Sequence, residues 1–130
     1  MAILFAEGKV LIAQRKADPR YPGIAGLWEF PGGKLEPSET PQLCLVRELR
    51  EELDIVVRVG DFFGRVRHHG DYGDVELLAY RTYHQSGVPT PNVHQRYAWA
   101  TPEELSRYTF LAADVPLVQQ IQREARHDAL

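Results

Sequence analysis

Gly33-Lys-Leu-Glu-Pro-Ser-Glu39-Thr-Pro-Gln-Leu-Cys-Leu-Val-Arg47-Glu48-Leu-Arg-Glu51-Glu52-Leu-Asp-Ile55 is the stretch on which the reading of this chain turns. Thr40 suits an N-cap, Pro41 the first helical position, and good helix formers run from Gln42 to Leu53 until Asp54 breaks the run. On that helix Glu48, Glu51 and Glu52 fall within an arc of about 100°. Leu45, Val46, Leu49 and Leu53 fill the neighbouring arc, the one expected to dock on a sheet. Like charges three and four residues apart oppose one another, and anions near a helix C-terminus oppose its dipole. A hard divalent ion such as Mg²⁺ or Mn²⁺ relieves both, and carboxylate oxygens are its usual ligands. The competing reading is a solvated acidic face compensated by Arg47 and Arg50, since surface glutamate is a good helix former. The preceding loop weighs against it: Gly32 and Gly33 let backbone approach a ligand, Lys34 stands beside them, and Glu39 lies within reach of Arg47.

Strands surround this helix. Ile3 to Ala6 and Val10 to Ala13 flank a glycine-bearing turn and predict a hairpin; the first run starts almost at Met1, as though clipped from a longer strand. Lys16 to Gly26, with two prolines and two glycines, is a loop, and Leu27 to Phe30 a short strand. Ile55–Val59, Asp61–Arg67 and Val75–Tyr83 predict three further strands, with a turn over Gly70 to Gly73. Arg96 to Ala100 is another strand, Thr101-Pro102-Glu103-Glu104 a second capped start, and Val115 to Ala125 a closing amphipathic helix. Strands interrupted by few helices argue for a mixed α/β sandwich over a βαβ array.

The 130 residues suit one domain covering 1–130, and 44% hydrophobic against 25% charged residues is the balance of an ordinary globule. A net charge of −3 disfavours a general grip on nucleic acid polymers. One cysteine makes no internal disulfide, and no apolar run is long enough to span a membrane. A soluble, reducing, cytoplasmic setting is the expectation, with no membrane partner and a monomer or dimer as the assembly.

At the spacings of Gly33, Glu39, Arg47-Glu48, Leu49, Glu51-Glu52 and Ile55, the chain resembles the signature of the Nudix hydrolases. Asp54 departs from it, standing where the family has a glycine at a left-handed helix end, a conformation aspartate tolerates. Leu27 to Lys34, Val10 to Arg15 and Phe110 to Val118 also look like the MutT-type branch. The resemblance implies an α+β fold, a Nudix-type α/β/α sandwich with a mixed β-sheet. It implies metal-dependent hydrolysis of nucleoside triphosphates, oxidised or modified ones among them, to a monophosphate and pyrophosphate, with Mg²⁺ or Mn²⁺ as cofactor. By the same resemblance Glu48, Glu51 and Glu52 are the catalytic metal ligands, assisted by the Gly32 carbonyl, and one of them also orients the attacking water. Arg15 and Lys34 hold phosphate oxygens, while Gly33, Glu39 and Arg47 are structural. Two alternatives stay open: a Nudix hydrolase of a dinucleotide or nucleotide sugar, and a non-catalytic nucleotide-binding module.

Two further positions follow from the branch, and a histidine pair stands out by itself. It often carries an acid on a late loop where this chain has Val93 and His94, so His94 is either a metal or phosphate ligand or simply solvated. Asp114 takes the place of a base-reading asparagine, in a stretch similar to that of bacterial CTP pyrophosphohydrolases; capping the last helix also explains an aspartate there. In the His68-His69 pair, near Asp71 and Asp74, alternation along a strand lets only one histidine, or Tyr72, line a base pocket. Trp28 and Trp99 are expected in the core, and Cys44 as a small filler.

Overall fold

Strand β1 (Ala2–Ala6) is apolar at every position because both faces of its sheet are covered. Ala2 and Leu4 point to one side, where they meet Leu11, Leu45, Leu49, Leu53, Ile55 and Val57. Ile3 points to the other, with Val10, Ile12, Phe30, Leu117 and Ile121. Two cores on opposite faces of one sheet are what the alternation of side chains along a strand produces. The computed structural model describes residues 1–70 and 73–128.

The sheet has six strands: β1, β2 (Lys9–Gln14), β3 (Trp28–Glu29), β4 (Val56–Gly70), β5 (Gly73–Ser86) and β6 (Arg96–Ala100). Their order is β3-β2-β1-β5-β4, with β6 also on β2. The β1–β5 pair is parallel and the others are antiparallel, so the sheet is mixed as expected. Helix α1 (Pro41–Leu53) covers one face and α2 (Val115–Asp128) the other, an α/β/α sandwich. Among the described residues no helix is long and apolar enough to cross a membrane.

Several expectations change. Residues 55–67 do not form two strands: β4 runs unbroken through Gly60, with irregular register between Val59 and Gly64 absorbing the mismatch. Glycine in a strand marked a bulge, not an end. Val46 lies at the edge of the apolar arc and is 37% exposed, while Leu45, Leu49 and Leu53 are buried. The segment after Thr101 folds as a short 3-10 turn, Glu103–Arg107. Its capping is reciprocal: Thr101 N–H donates to Glu104 Oε1 at 2.9 Å and Glu104 N–H to Thr101 Oγ1 at 3.2 Å. Trp28 is buried and Trp99 packs at the edge of the α1-side core. Asp71 and Tyr72 lie outside the described residues.

Both ends of α1 behave as their sequence dictates. Thr40 Oγ1 accepts the Leu43 N–H at 3.1 Å, and Asp54 closes the helix at φ 56°, ψ 37°. That left-handed conformation costs an L-residue free energy that glycine does not incur. Asp54→Gly is therefore expected to stabilise the fold by about 0.5–1 kcal/mol, since the exposed Arg50–Asp54 pair at 3.6 Å offsets little. Thermal melts check this: Tm rises by a few degrees with activity unchanged, and a lower Tm would contradict the argument.

Candidate active site

The loop before α1 is held to the helix by one arginine. Arg47 chelates Glu39 through Nε and Nη2, at 2.7 and 2.9 Å. Its Nη2 also donates to the Lys34 carbonyl at 3.2 Å, and its Nη1 reaches Glu48 at 2.8 Å and Glu51 at 3.4 Å. The Arg47 fork and a backbone hydrogen bond from Glu36 hold the Glu39 carboxyl down at about 2. The pairing expected between Glu39 and Arg47 is present and fixes the loop to the helix.

Glu48, Glu51 and Glu52 project along one side of α1 in three environments. Glu51 is open to solvent, its side chain 58% exposed. Glu48 is largely covered and lies against Gly33, where a Cβ would overlap its carboxylate. A side chain at that point would displace the Glu48 carboxylate from this position. Glu52 is mostly buried, with Oε2 unpartnered. Burial first, then the Glu48 and Glu29 charges, push its carboxyl up to about 8, against a backbone hydrogen bond from Gly32.

The helix end carrying these acids is capped by the β5–β6 loop. Thr90 N–H donates to the Leu53 carbonyl at 2.8 Å, and Asn92 donates through N–H to Glu52 O at 3.0 Å and through Nδ2 to Glu51 O at 3.1 Å. Orphan carbonyls of the last turn are thus satisfied by a loop remote in sequence.

That loop also delivers His94, which is 4% exposed rather than solvated. Its Nε2 lies 2.8 Å from Glu29 Oε2, while Arg15 Nη1 donates to Glu29 Oε1 at 3.1 Å. Val93, the other residue at the late-loop position, is exposed. Glu29 and Asn92 were not singled out from the sequence. The available signal for Glu29 was an acid inside an otherwise apolar strand; Asn92 had none.

Two clefts meet at Glu29, and Glu52 lines the smaller of them. The larger, about 540 Å³, is lined by Phe30, Gly32, Gly33, Lys34, Leu77 and Asp114 among others. The smaller, about 370 Å³, is lined by Arg15, Lys16, Arg20, Glu29, Glu52 and His94 among others. Glu29 borders both. Asp114 is 2% exposed, and its Oδ2 accepts the Phe30 N–H at 2.9 Å, so that oxygen serves the end of β3 and not the first turn of α2. Burial is the main cause that pushes its carboxyl up to about 7. Neither His68 nor His69 lines the larger cleft; His69 pairs instead with Asp74, 2.7 Å away, on the hairpin surface. Cys44 is buried beneath the Gly33 carbonyl, the filler position expected of it.

Among the described residues no three acidic, histidine or cysteine side chains are gathered into a ready cation cage, and Arg47 pairs with Glu48 and Glu51. The donor set nevertheless fits a hard divalent cation. Glu52 keeps a buried, unpartnered oxygen beside a second carboxylate, and Gly33 leaves the space that Glu48 occupies.

The chain is similar to known proteins over most of its length. The NUDIX domain profile matches residues 1–121. The chain is 40% identical over 118 residues to the CTP pyrophosphohydrolase of Escherichia coli K12, covering 91% of this chain and 85% of that protein. It is 29% identical over 115 residues to the 8-oxo-dGTP diphosphatase of the same strain, covering 88% and 87%. Among solved structures, the E. coli ORF135 protein superposes with a TM-score of 0.79 at 38% identity, covering 94% of this chain and 85% of that one. The MutT protein from Methanosarcina mazei Go1 superposes with a TM-score of 0.79 at 28% identity, covering 95% and 91%.

Proposed function

Because the chain belongs to the Nudix family, a family of hydrolases that generally use divalent metal ions, we propose that it hydrolyses free nucleoside triphosphates, canonical or modified, to a nucleoside monophosphate and pyrophosphate. Residues 1–130 act as one domain in this reading, on a small-molecule substrate in the cytoplasm, with no nucleic acid polymer or membrane as partner. The observation that carries it is Glu52, a mostly buried acid with a free oxygen, near the Glu48 charge and lining the smaller cleft.

Glu48, Glu51 and Glu52, with the Gly32 carbonyl, hold Mg²⁺ or Mn²⁺ in this reading. When bound, the ion neutralises phosphate charge and lowers the pKa of water. Glu48 and Glu51 would have to leave Arg47 to hold the ion, while the two-pronged Arg47–Glu39 pair would keep the loop in place. Lys34 and Arg15 each present a cation to a phosphate oxygen, Lys34 from the larger cleft and Arg15 from the smaller. Water oxygen bonds to phosphorus, a glutamate of α1 accepts its proton, and the bridging P–O bond breaks with its electron pair on the departing pyrophosphate.

The base occupies the larger cleft, where Asp114 reads its edge. A protonated carboxyl both donates and accepts, whereas a carboxylate only accepts. With its carboxyl titrating at about 7, Asp114 presents the first pattern below neutrality and the second above it. A panel of CTP, dCTP, 5-methyl-dCTP, 8-oxo-dGTP and 2-hydroxy-dATP, assayed with Mg²⁺ for pyrophosphate release, tests the whole reading. At least one is hydrolysed to monophosphate and pyrophosphate; release from none of them, with nucleotide still bound, leaves only a binding module. Asp114→Asn fixes the donor-and-acceptor pattern at every pH. It is expected to change the preference among bases by about tenfold, the scale of one hydrogen bond, and to remove its change with pH across neutrality. Unchanged relative rates end the base-reading role.

A further inference from the structure

Helix α1 ends with three carbonyls that its own backbone leaves unpaired, those of Glu51, Glu52 and Leu53, because the Asp54 N–H turns back to Arg50. All three accept from one remote segment, residues 87–95 between β5 and β6. The Thr90 N–H serves Leu53. Asn92 alone serves the other two: its N–H donates to Glu52 O at 3.0 Å and its Nδ2 to Glu51 O at 3.1 Å. These carbonyls belong to two of the three acids on the functional side of α1.

The segment is anchored on both sides of Asn92. Upstream, a Cβ on Gly87 would lie 2.7 Å from Asp54 O, and the Gly87 carbonyl accepts from His84 Nε2 at 2.6 Å. Downstream, His94 is buried with Nε2 2.8 Å from Glu29 Oε2, and the Gln95 N–H donates to Gln14 O at 2.8 Å. Residues 87–95 are thus a clasp with one end on α1 and the other on β2 and β3. A side chain on a backbone already fixed in this way loses little freedom when it bonds.

Two consequences reach the acids. A last turn without partners for its carbonyls frays, and fraying would swing the Glu51 and Glu52 side chains away from a common point. Those carbonyls also form the negative pole of the helix, which opposes carboxylates gathered near it; amide donors offset part of that pole.

We propose that Asn92 is a positioning residue for the cation-binding acids, fixing through the Glu51 and Glu52 carbonyls the turn from which both carboxylates project. Asn92 lines neither cleft, so it acts through these two residues. The proposal rests on the reading above, in which Glu51 and Glu52 hold the ion.

Mn²⁺ titration without nucleotide, followed by the spin-resonance signal of the free ion, tests it without requiring turnover. Asn92→Ala removes the exposed amide and keeps the backbone N–H. Its Mn²⁺ affinity is expected to fall about fivefold, the scale of one hydrogen bond. With saturating Mg²⁺ and a nucleotide that wild type hydrolyses, kcat is expected to fall about 10-fold with KM little changed, the cost of misplaced groups. Thr101→Ala is the control for stability alone. It removes a cap of the same kind, where Thr101 Oγ1 accepts the Glu104 N–H, at a residue that lines neither cleft. Its Tm is expected to fall by a few degrees with Mn²⁺ affinity and kcat unchanged. Equal Mn²⁺ affinity in wild type and Asn92→Ala overturns the positioning role, as does the same loss in Thr101→Ala. If wild type hydrolyses no nucleotide while Asn92→Ala still binds Mn²⁺ more weakly, the hydrolysis reading fails and the positioning role stands.

Discussion

Glu52→Gln is expected to abolish turnover and, in metal-free buffer, to stabilise the protein. Loss of a charged ligand to the cation is expected to lower kcat by about 10³-fold or more, the scale of removing one essential electrostatic group. Stability moves the opposite way. The Glu52 carboxyl titrates at about 8 in the folded chain, above its ordinary 4.5, so between those values the folded state keeps a proton that the unfolded state has lost. Folding stability therefore falls as pH rises from about 4.5 to about 8, by an amount on the order of 5 kcal/mol for this one group. Asp114 contributes a second descending limb, from its ordinary 3.8 up to about 7. Glutamine cannot ionise, so the variant loses the Glu52 limb and keeps the Asp114 one.

Thermal melts in EDTA across this pH range check the prediction, and identical slopes for wild type and variant would falsify it. The same linkage requires wild-type protein to release about one proton when it takes up Mg²⁺ or Mn²⁺ near neutral pH. Calorimetry in buffers of different ionisation enthalpy reads that proton directly. A cation that binds with no proton release is not bound at Glu52.

Arg47→Ala carries the second large effect, on fold and activity together. Arg47 is the shared partner of Glu39, Glu48 and Glu51, and Glu36 lies 3.6 Å from it. Removing it leaves four carboxylates facing one another and frees the loop bearing Gly32, Gly33 and Lys34. A fall in Tm of several degrees is expected, with kcat/KM down by about 10²-fold, the cost of misplacing groups that must converge on one phosphorus. Arg47→Lys is expected to recover only a minor part, because a point charge cannot reproduce the two-pronged grip on Glu39. The pH signature is distinct from that of Glu52. Glu39 is held down at about 2, so its contribution is present above its ordinary 4.5 and is lost as pH falls toward 2. Wild type shows that acid limb and Arg47→Ala lacks it; full activity in the alanine variant would refute the role.

Much of the site was legible because its parts are close in sequence. Helical periodicity places Glu48, Glu51 and Glu52 on one side of α1 whatever surrounds it, and the caps at Thr40 and Asp54 bound the helix to the residue. Arg47 and Glu39 are near enough along the chain for their pairing to be anticipated. Val46 was misplaced because it sits at the rim of the apolar arc, where the sheet's actual footprint decides burial. Gly60 looked like a strand end, but pairing with β5 carried β4 through it. His94 was left open between a ligand and a solvated loop residue; it is buried, and its partner is Glu29, 65 positions away.

The sequence by itself therefore determined the acidic helix, the glycine loop that meets it, the mixed sandwich around them and the hydrolase family. Tertiary structure alone decided that Glu52 is the buried acid and Glu51 the open one, that Asp114 turns to Phe30 across 84 residues, and that Asn92 caps the helix end. It also gathered Arg15, Glu29 and His94 around one cleft. The division follows from range: periodicity and capping act within a few residues and are written locally. Desolvation and the pairing of buried charges depend on which distant segments the two cores press together.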